Sequence, residues 1–116
     1  MADTVTVAGL VATPIKHNIT SEGLEISSFR LASNTRRYDR SAGAWVDGET
    51  NWFTVTAFRH VAANVHTSLD KGHRVVVNGR LRVREWRDGE KLGRDVEIVA
   101  DALGPDLAWG TASYTR

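Results

Sequence analysis

The sequence predicts an all-β domain with a single helix. Several runs alternate β-branched or aromatic residues with polar ones, and this period of two is typical of strands. Only one segment spaces its apolar residues as a helix does. The chain has 116 residues, enough for one compact domain, so residues 1–116 are interpreted as a single unit.

The N-terminal half predicts three strands. Residues 4–11 alternate valines with Thr and Ala, and residues 24–32 place Phe29 and Leu31 on the side opposite Arg30. Residues 52–58 are rich in aromatic and β-branched side chains. The polar stretch 33–51 contains Gly-bearing turn signals, so we expect a long, mobile hairpin there.

The C-terminal half begins with the predicted helix, residues 59–71. Its apolar stripe consists of Val61, Ala62, Val65 and Leu69, and Gly72 is the expected C-cap.

Residues 75–86 and 94–103 are the next two predicted strands, joined by a turn at Asp88-Gly89. Residues 107–114 alternate again and predict an extra C-terminal strand. Three strands, a helix and two strands is the element order of an OB-fold barrel, a fold that binds oligonucleotides and oligosaccharides. The predicted fold is therefore a five-stranded OB-fold barrel plus that extra strand.

Composition argues against several functional classes. The chain lacks cysteine, which excludes disulfides, thiolate zinc sites and a cysteine nucleophile. No run approaches the roughly 18 apolar residues of a membrane span, and the N-terminus does not resemble a secretory signal, so we expect a cytoplasmic protein. The four histidines fit no metal motif and no catalytic motif is present, so we expect no metal, no cofactor and no enzymatic activity.

Basic residues are clustered although the net charge is only +1. Two segments and the end of the helix hold most of them, and arginine dominates, whose planar guanidinium suits phosphates and stacking. The clustered residues are Arg30, Arg36, Arg37, Arg40, Lys71, Arg74, Arg80, Arg82, Arg84, Arg87 and Lys91.

The strongest chemical signal lies in residues 79–86. Strand alternation places four side chains in one outward row about 20 Å long, with same-face neighbours about 6.6 Å apart. The row consists of Arg80, Arg82, Arg84 and Trp86. Leu81 and Val83 then point into the core. The alternative is an edge strand protected by charge, but an exposed indole favours a stacking platform for bases.

Residues 52–58 give the second signal. Phe53, Val55 and Ala57 form the more apolar side and are expected to fill the barrel, which leaves Trp52 and Phe58 outside. Bases can stack on such rings. The alternative is that these two rings pack under the helix or against another subunit.

The chain resembles the bacterial single-stranded DNA-binding protein family along nearly its whole length. The matching segments are 5–9, 29–33, 52–62, 69–72, 74–77 and 79–82 with Trp86, and Leu69-Asp70-Lys71-Gly72 followed by Gly79-Arg80-Leu81 is a specific combination. The ending Gly104-Pro105-Asp106-Leu107 resembles the actinobacterial branch.

The resemblance implies binding of single-stranded DNA without sequence preference, in replication, recombination and repair. It places Trp52, Phe58 and Trp86 at base-stacking positions. A third family tryptophan is missing near residue 38, where Tyr38 or the plane of Arg37 would substitute. The expected phosphate and stacking contacts are Arg30, Arg36, Arg37, Arg40, Lys71, Arg74, Arg80, Arg82, Arg84 and Arg87.

The resemblance also implies a homotetramer in which residues 4–11 pair between subunits and the extra C-terminal strand clamps them. The family's acidic tail does not follow Ser113-Tyr114-Thr115-Arg116, which leaves either a truncated chain or a tail-less paralogue and puts the recruitment of repair proteins in question. Two alternatives stay open. One is an RNA-binding or primosomal accessory OB protein, and the other is a protein–protein adaptor.

Overall fold

The computed structural model describes residues 3–116, which form six strands and one helix, so Met1 and Ala2 of the predicted domain lie outside it. The elements are β1 (Asp3–Val11), β2 (Lys16–Ile19), β3 (Glu25–Asp39), β4 (Ala44–Phe58), α1 (Arg59–Ser68), β5 (Arg74–Asp88) and β6 (Lys91–Pro105).

Five of the strands close into a ring, which confirms the OB-fold barrel. β1 pairs with β5, β5 with β6, and β4 with β3, all antiparallel and over many residues. The ring is completed by two short contacts, the parallel pairing of β4 with β6 and the pairing of β1 with β3 at Leu10 and Val11. The barrel is therefore uneven in its hydrogen bonding.

The interior contains the residues that strand alternation predicted. Phe29, Leu31 and Val55 are buried together with inward residues of the other ring strands. The helix adds Ala62 and Val65 to this core, and its C-cap residue Leu69 is buried with them. The hydroxyl of Ser27 donates a 2.7 Å hydrogen bond to the carbonyl of Ala62, which fixes α1 against β3.

Two hairpins project from the barrel. β3 and β4 stay paired as far as Asp39 and Ala44, and β5 and β6 as far as Asp88 and Lys91. The predicted hairpin in residues 33–51 is present, but it is a strand ladder with a four-residue turn. Its composition is that of a loop because both of its faces meet solvent.

The end of the helix differs from the prediction. α1 ends at Ser68, and Gly72 lies in the turn that follows, so Gly72 is not the C-cap. Gly72 adopts φ 97° there, and its N–H donates a hydrogen bond to the carbonyl of Val11. Within residues 3–116, no helix is long and apolar enough to cross a membrane.

The prediction of a strand in residues 107–114 is wrong. The chain makes a turn at Asp106 and continues without regular structure. Residues 107–114 pair with no strand of the described chain, and the alternating Leu107 and Trp109 remain exposed. The sixth strand is β2 instead, which pairs with β3 outside the ring.

Candidate nucleic-acid interface

A continuous outer face runs across β3, β4, β6 and β5. Residues paired across a ladder point to the same side of the sheet, so the register defines rows of neighbouring side chains. One row is Arg30, Thr54, Glu97 and Arg82, and the next is Ser28, Thr56, Val99 and Arg80. At about 4.8 Å between strands, Arg30 and Arg82 stand about 14 Å apart at the backbone.

Trp52 lies on this face, two residues along β4 from Thr54. Its side chain is 49% exposed. The guanidinium of Arg30 lies 5.5 Å from the indole centroid and donates a 3.1 Å hydrogen bond to the hydroxyl of Thr54. The structure thus places a fixed cation beside an accessible ring, as the sequence predicted for both residues.

Trp86 and the predicted arginine row lie on the β5 part of the face. Alternation is continuous from residue 79 to residue 88, and the Trp86 side chain is 45% exposed. Arg80, Arg82 and Arg84 are exposed as well. The prediction that Val83 points into the core is wrong, since β5 has left the barrel at that point and Val83 is 51% exposed.

Acidic residues of β6 accompany the arginines, a feature that sequence reasoning missed. Arg80 Nε lies 3.6 Å from Asp101, and the carboxylate of Glu97 lies 3.6 Å from Arg82 and 4.0 Å from Arg84. Glu97 is only 12% exposed. Such pairs at a surface contribute little stability, and each places a negative charge beside the guanidiniums.

A β-bulge brings Trp45 to the same face. Strand parity places Trp45 and Trp52 on opposite sides of β4, because seven residues separate them. The register shifts between Asn34 and Arg36, where two residues of β4 face one residue of β3. Trp45 therefore pairs with Tyr38 on the Trp52 side, and their rings meet edge to face at 5.7 Å.

Asp39 holds the turn of this hairpin. Its carboxylate accepts hydrogen bonds from the Ser41 hydroxyl at 2.6 Å and from the Ser41 N–H at 3.0 Å. These bonds lower the pKa of Asp39 below its ordinary value, and the bond from the Ser41 hydroxyl has the largest effect. The turn next to Tyr38 is thus held while this carboxylate is ionised.

The other predicted contact residues are divided among different surfaces. Arg36 lies on the outer face, 3.9 Å from Asp47. Arg37 and Arg87 pair with Val46 and Leu92, on the reverse sides of the two hairpins. Arg40 lies in the turn of the β3–β4 hairpin and Lys71 in the turn after α1. Phe58 is half-buried at the helix N-cap. The guanidinium of Arg74 lies 4.5 Å from the ring centroid of Trp109.

The histidines lie away from this face. His17 stacks on His66 at 4.1 Å and contacts Glu25 at 3.0 Å, which joins β2, α1 and β3. Within residues 3–116, no three His, Cys, Asp or Glu side chains are grouped so as to hold a metal ion.

Comparisons with known proteins agree on one family. The model of the single-strand binding protein family matches residues 2–105. Single-stranded DNA-binding protein 2 of Tropheryma whipplei is 49% identical over 112 residues, covering 97% of this chain and 74% of that protein. The single-stranded DNA-binding protein of Mycobacterium leprae is 39% identical over 115 residues, covering 97% of this chain and 68% of that protein.

Solved structures give the same result. The crystal structure of the small single-stranded DNA-binding protein from Streptomyces coelicolor superposes with a TM-score of 0.86 at 40% identity, covering 94% of this chain and 98% of that one. The second single-stranded DNA-binding protein from Mycobacterium smegmatis superposes with a TM-score of 0.76 at 29% identity, over the whole of both chains.

Proposed function

The chain belongs to the single-strand binding protein family, and we propose that it binds single-stranded DNA on the outer face of β3, β4, β6 and β5. Residues 1–116 act as one binding domain. The observation that carries the proposal is that two half-exposed indoles, Trp52 and Trp86, stand on one sheet face beside arginines from two different strands.

Binding needs only stacking and charge neutralisation. Bases splayed from the strand stack on Trp52 and Trp86, and Tyr38 and Trp45 extend this surface along the hairpin. Arg30, Arg80, Arg82 and Arg84 meet the backbone phosphates, whose repeat in an extended strand is similar to the roughly 6.6 Å spacing along β5. Neither contact distinguishes one base from another, and no covalent bond changes, so the proposed role is binding without catalysis.

We propose a homotetramer built from the open edge of β1. One edge of β1 pairs with β5 along Asp3 to Gly9. The other edge of β1 pairs with β3 only at Leu10 and Val11. Within the described chain, the second edge of β1 is thus unpaired over most of its length. An unpaired edge is a template for another strand, so pairing of the open part of β1 between two copies joins them into a dimer, and two such dimers make up the proposed homotetramer.

The proposed cellular role is protection of single-stranded DNA during replication, recombination and repair. The relatives are bacterial proteins named for this ligand. We therefore place the chain in the cytoplasm, associated with the nucleoid.

Titration of tryptophan fluorescence with oligo-dT tests the proposal. Stacking on exposed indoles predicts strong quenching that saturates at a defined ratio of nucleotides to protein. Competition with single-stranded RNA of the same length separates DNA binding from an RNA-binding role, and duplex DNA is the matched control. A protein–protein adaptor gives no quenching with any of these ligands, and that result would refute the proposed function.

A further inference from the structure

Trp86 is seated on a glycine of the neighbouring strand. Gly93 of β6 is the cross-strand partner of Trp86. A β-carbon built at Gly93 would stand 2.5 Å from the indole Cη2 and closer still to Cζ2 and Cε2. The six-membered ring of the indole therefore occupies the space that any side chain at position 93 would need.

The backbone does not explain a glycine at this position. The glycines with positive φ are Gly23, Gly43, Gly72 and Gly89, so Gly93 adopts a conformation open to every residue type. A glycine inside a strand interior weakens the strand, because it loses more conformational entropy than other residues and packs no side chain. Packing an aromatic ring over the glycine offsets this cost.

We propose that Gly93 is the positioning residue for Trp86, setting the indole in the orientation that a base meets. This inference rests on the function proposed above. One side of the ring lies over the Gly93 backbone, while Trp86 as a whole stays 45% exposed, which leaves surface for stacking. A ring held before binding loses less rotamer entropy when the base arrives.

A side chain at position 93 displaces the ring without touching the arginines. We expect Gly93→Ala to weaken oligo-dT binding about 3- to 10-fold, part of the loss of stacking expected for Trp86→Ala. Gly104 of the same strand supplies the matched control, because a β-carbon there meets nothing within 4 Å and its φ is not positive. We expect Gly104→Ala to bind as the unaltered protein does.

The test combines a binding cycle with an NMR measurement. In the free protein, ring current from the indole shifts the Gly93 α-protons upfield relative to those of Gly104, and Trp86→Ala removes the shift. In binding, Gly93→Ala costs affinity when Trp86 is present and adds no loss to Trp86→Ala, since the two changes remove the same stacking. Circular dichroism melting checks that each variant folds, and the NMR arm needs only the unaltered protein and Trp86→Ala.

Four results would overturn the proposal. Normal binding by Gly93→Ala beside weakened binding by Trp86→Ala refutes the claim that Gly93 positions Trp86 and leaves the proposed function intact. Normal binding by Trp86→Ala refutes base stacking on Trp86 and, with it, the positioning role of Gly93. Unshifted Gly93 α-protons would show that the indole does not lie over Gly93. Fully additive losses in the double variant would show that the two residues affect binding independently.

Discussion

Glu97 lies in the middle of the arginines that are proposed to meet phosphate. Its carboxylate contacts both Arg82 and Arg84 and is only 12% exposed. A phosphate that approaches these guanidiniums must compete with this carboxylate and is repelled by it. We therefore interpret Glu97 as a residue that limits affinity for DNA.

Glu97→Gln is expected to raise affinity for oligo-dT. The amide keeps the size of the side chain and removes one negative charge from the path, so binding at low salt should tighten by about 3- to 10-fold, with the difference shrinking as salt screens it. Fluorescence anisotropy of labelled dT checks this. Glu85→Gln is the control, because Glu85 pairs with Arg94 on the reverse side of the hairpin. Weaker binding by Glu97→Gln would refute this reading.

Prediction from the sequence succeeded for residues whose strands are continuous with the core. Trp52 precedes and Trp86 follows the buried positions of its strand in strict alternation, so the outward placement of both could be deduced. Glu97 could not be identified in this way, because its partners lie on another strand. Cross-strand neighbours depend on register, which a single sequence does not define.

The β3–β4 hairpin shows the limit of alternation at the scale of an element. Because two residues lie opposite one at the bulge, the β4 residues on its hairpin side, residues 44–47, point to the opposite side from the one that alternation with the core predicts. No sequence pattern marked this shift. Gly48 lies within the bulge, where a β-carbon would stand 2.6 Å from the Thr35 hydroxyl, but the glycine alone also fits an ordinary turn. Trp45 was therefore missing from the predicted site.

Trp45→Ala is expected to weaken binding only for DNA that reaches the hairpin. Trp45 lies seven residues from Trp52, roughly 20 Å along the strand, so an oligo-dT of about four nucleotides centred on Trp52 does not reach it and should bind normally. Longer oligo-dT should lose about 1 kcal/mol, the low end for one stacked base. Val46→Ala, on the reverse side of the same strand, is the control. Equal effects of Trp45→Ala on short and long DNA would contradict this placement.

For the whole molecule, element order was sufficient to predict the barrel but not its extra strand. Five alternating segments with a helix after the third have few compact arrangements, so the ring could be deduced. Residues 107–114 alternate equally well, but a strand also needs a partner strand, and within the described chain these residues pair with none. Whether a segment finds a partner strand depends on the assembled sheet, so the alternation of the segment alone does not show it.

The whole face together determines the salt dependence of binding. Each phosphate neutralised on a single strand contributes about −0.7 to the slope of log affinity against log salt, so the five outer-face arginines predict about −2 to −4 per subunit. They are Arg30, Arg36, Arg80, Arg82 and Arg84. Arg82→Ala should reduce the slope by about 0.7.

The control for this experiment is Lys16→Ala, which removes the same charge from β2, outside the ring. Isothermal titrations at several salt concentrations measure both slopes. Equal slopes for the unaltered protein and Arg82→Ala would show that this arginine meets no phosphate.

The most direct test of the proposed interface is binding of poly-dT by the double variant Trp52→Ala/Trp86→Ala. Each indole is expected to contribute about 1–3 kcal/mol through base stacking, so the double variant should bind at least tenfold more weakly in fluorescence anisotropy, with its melting temperature little changed. Trp109→Ala, which removes an indole packed against Arg74 instead, should bind normally. Unaltered affinity in the double variant would contradict the claim that this face binds single-stranded DNA by stacking.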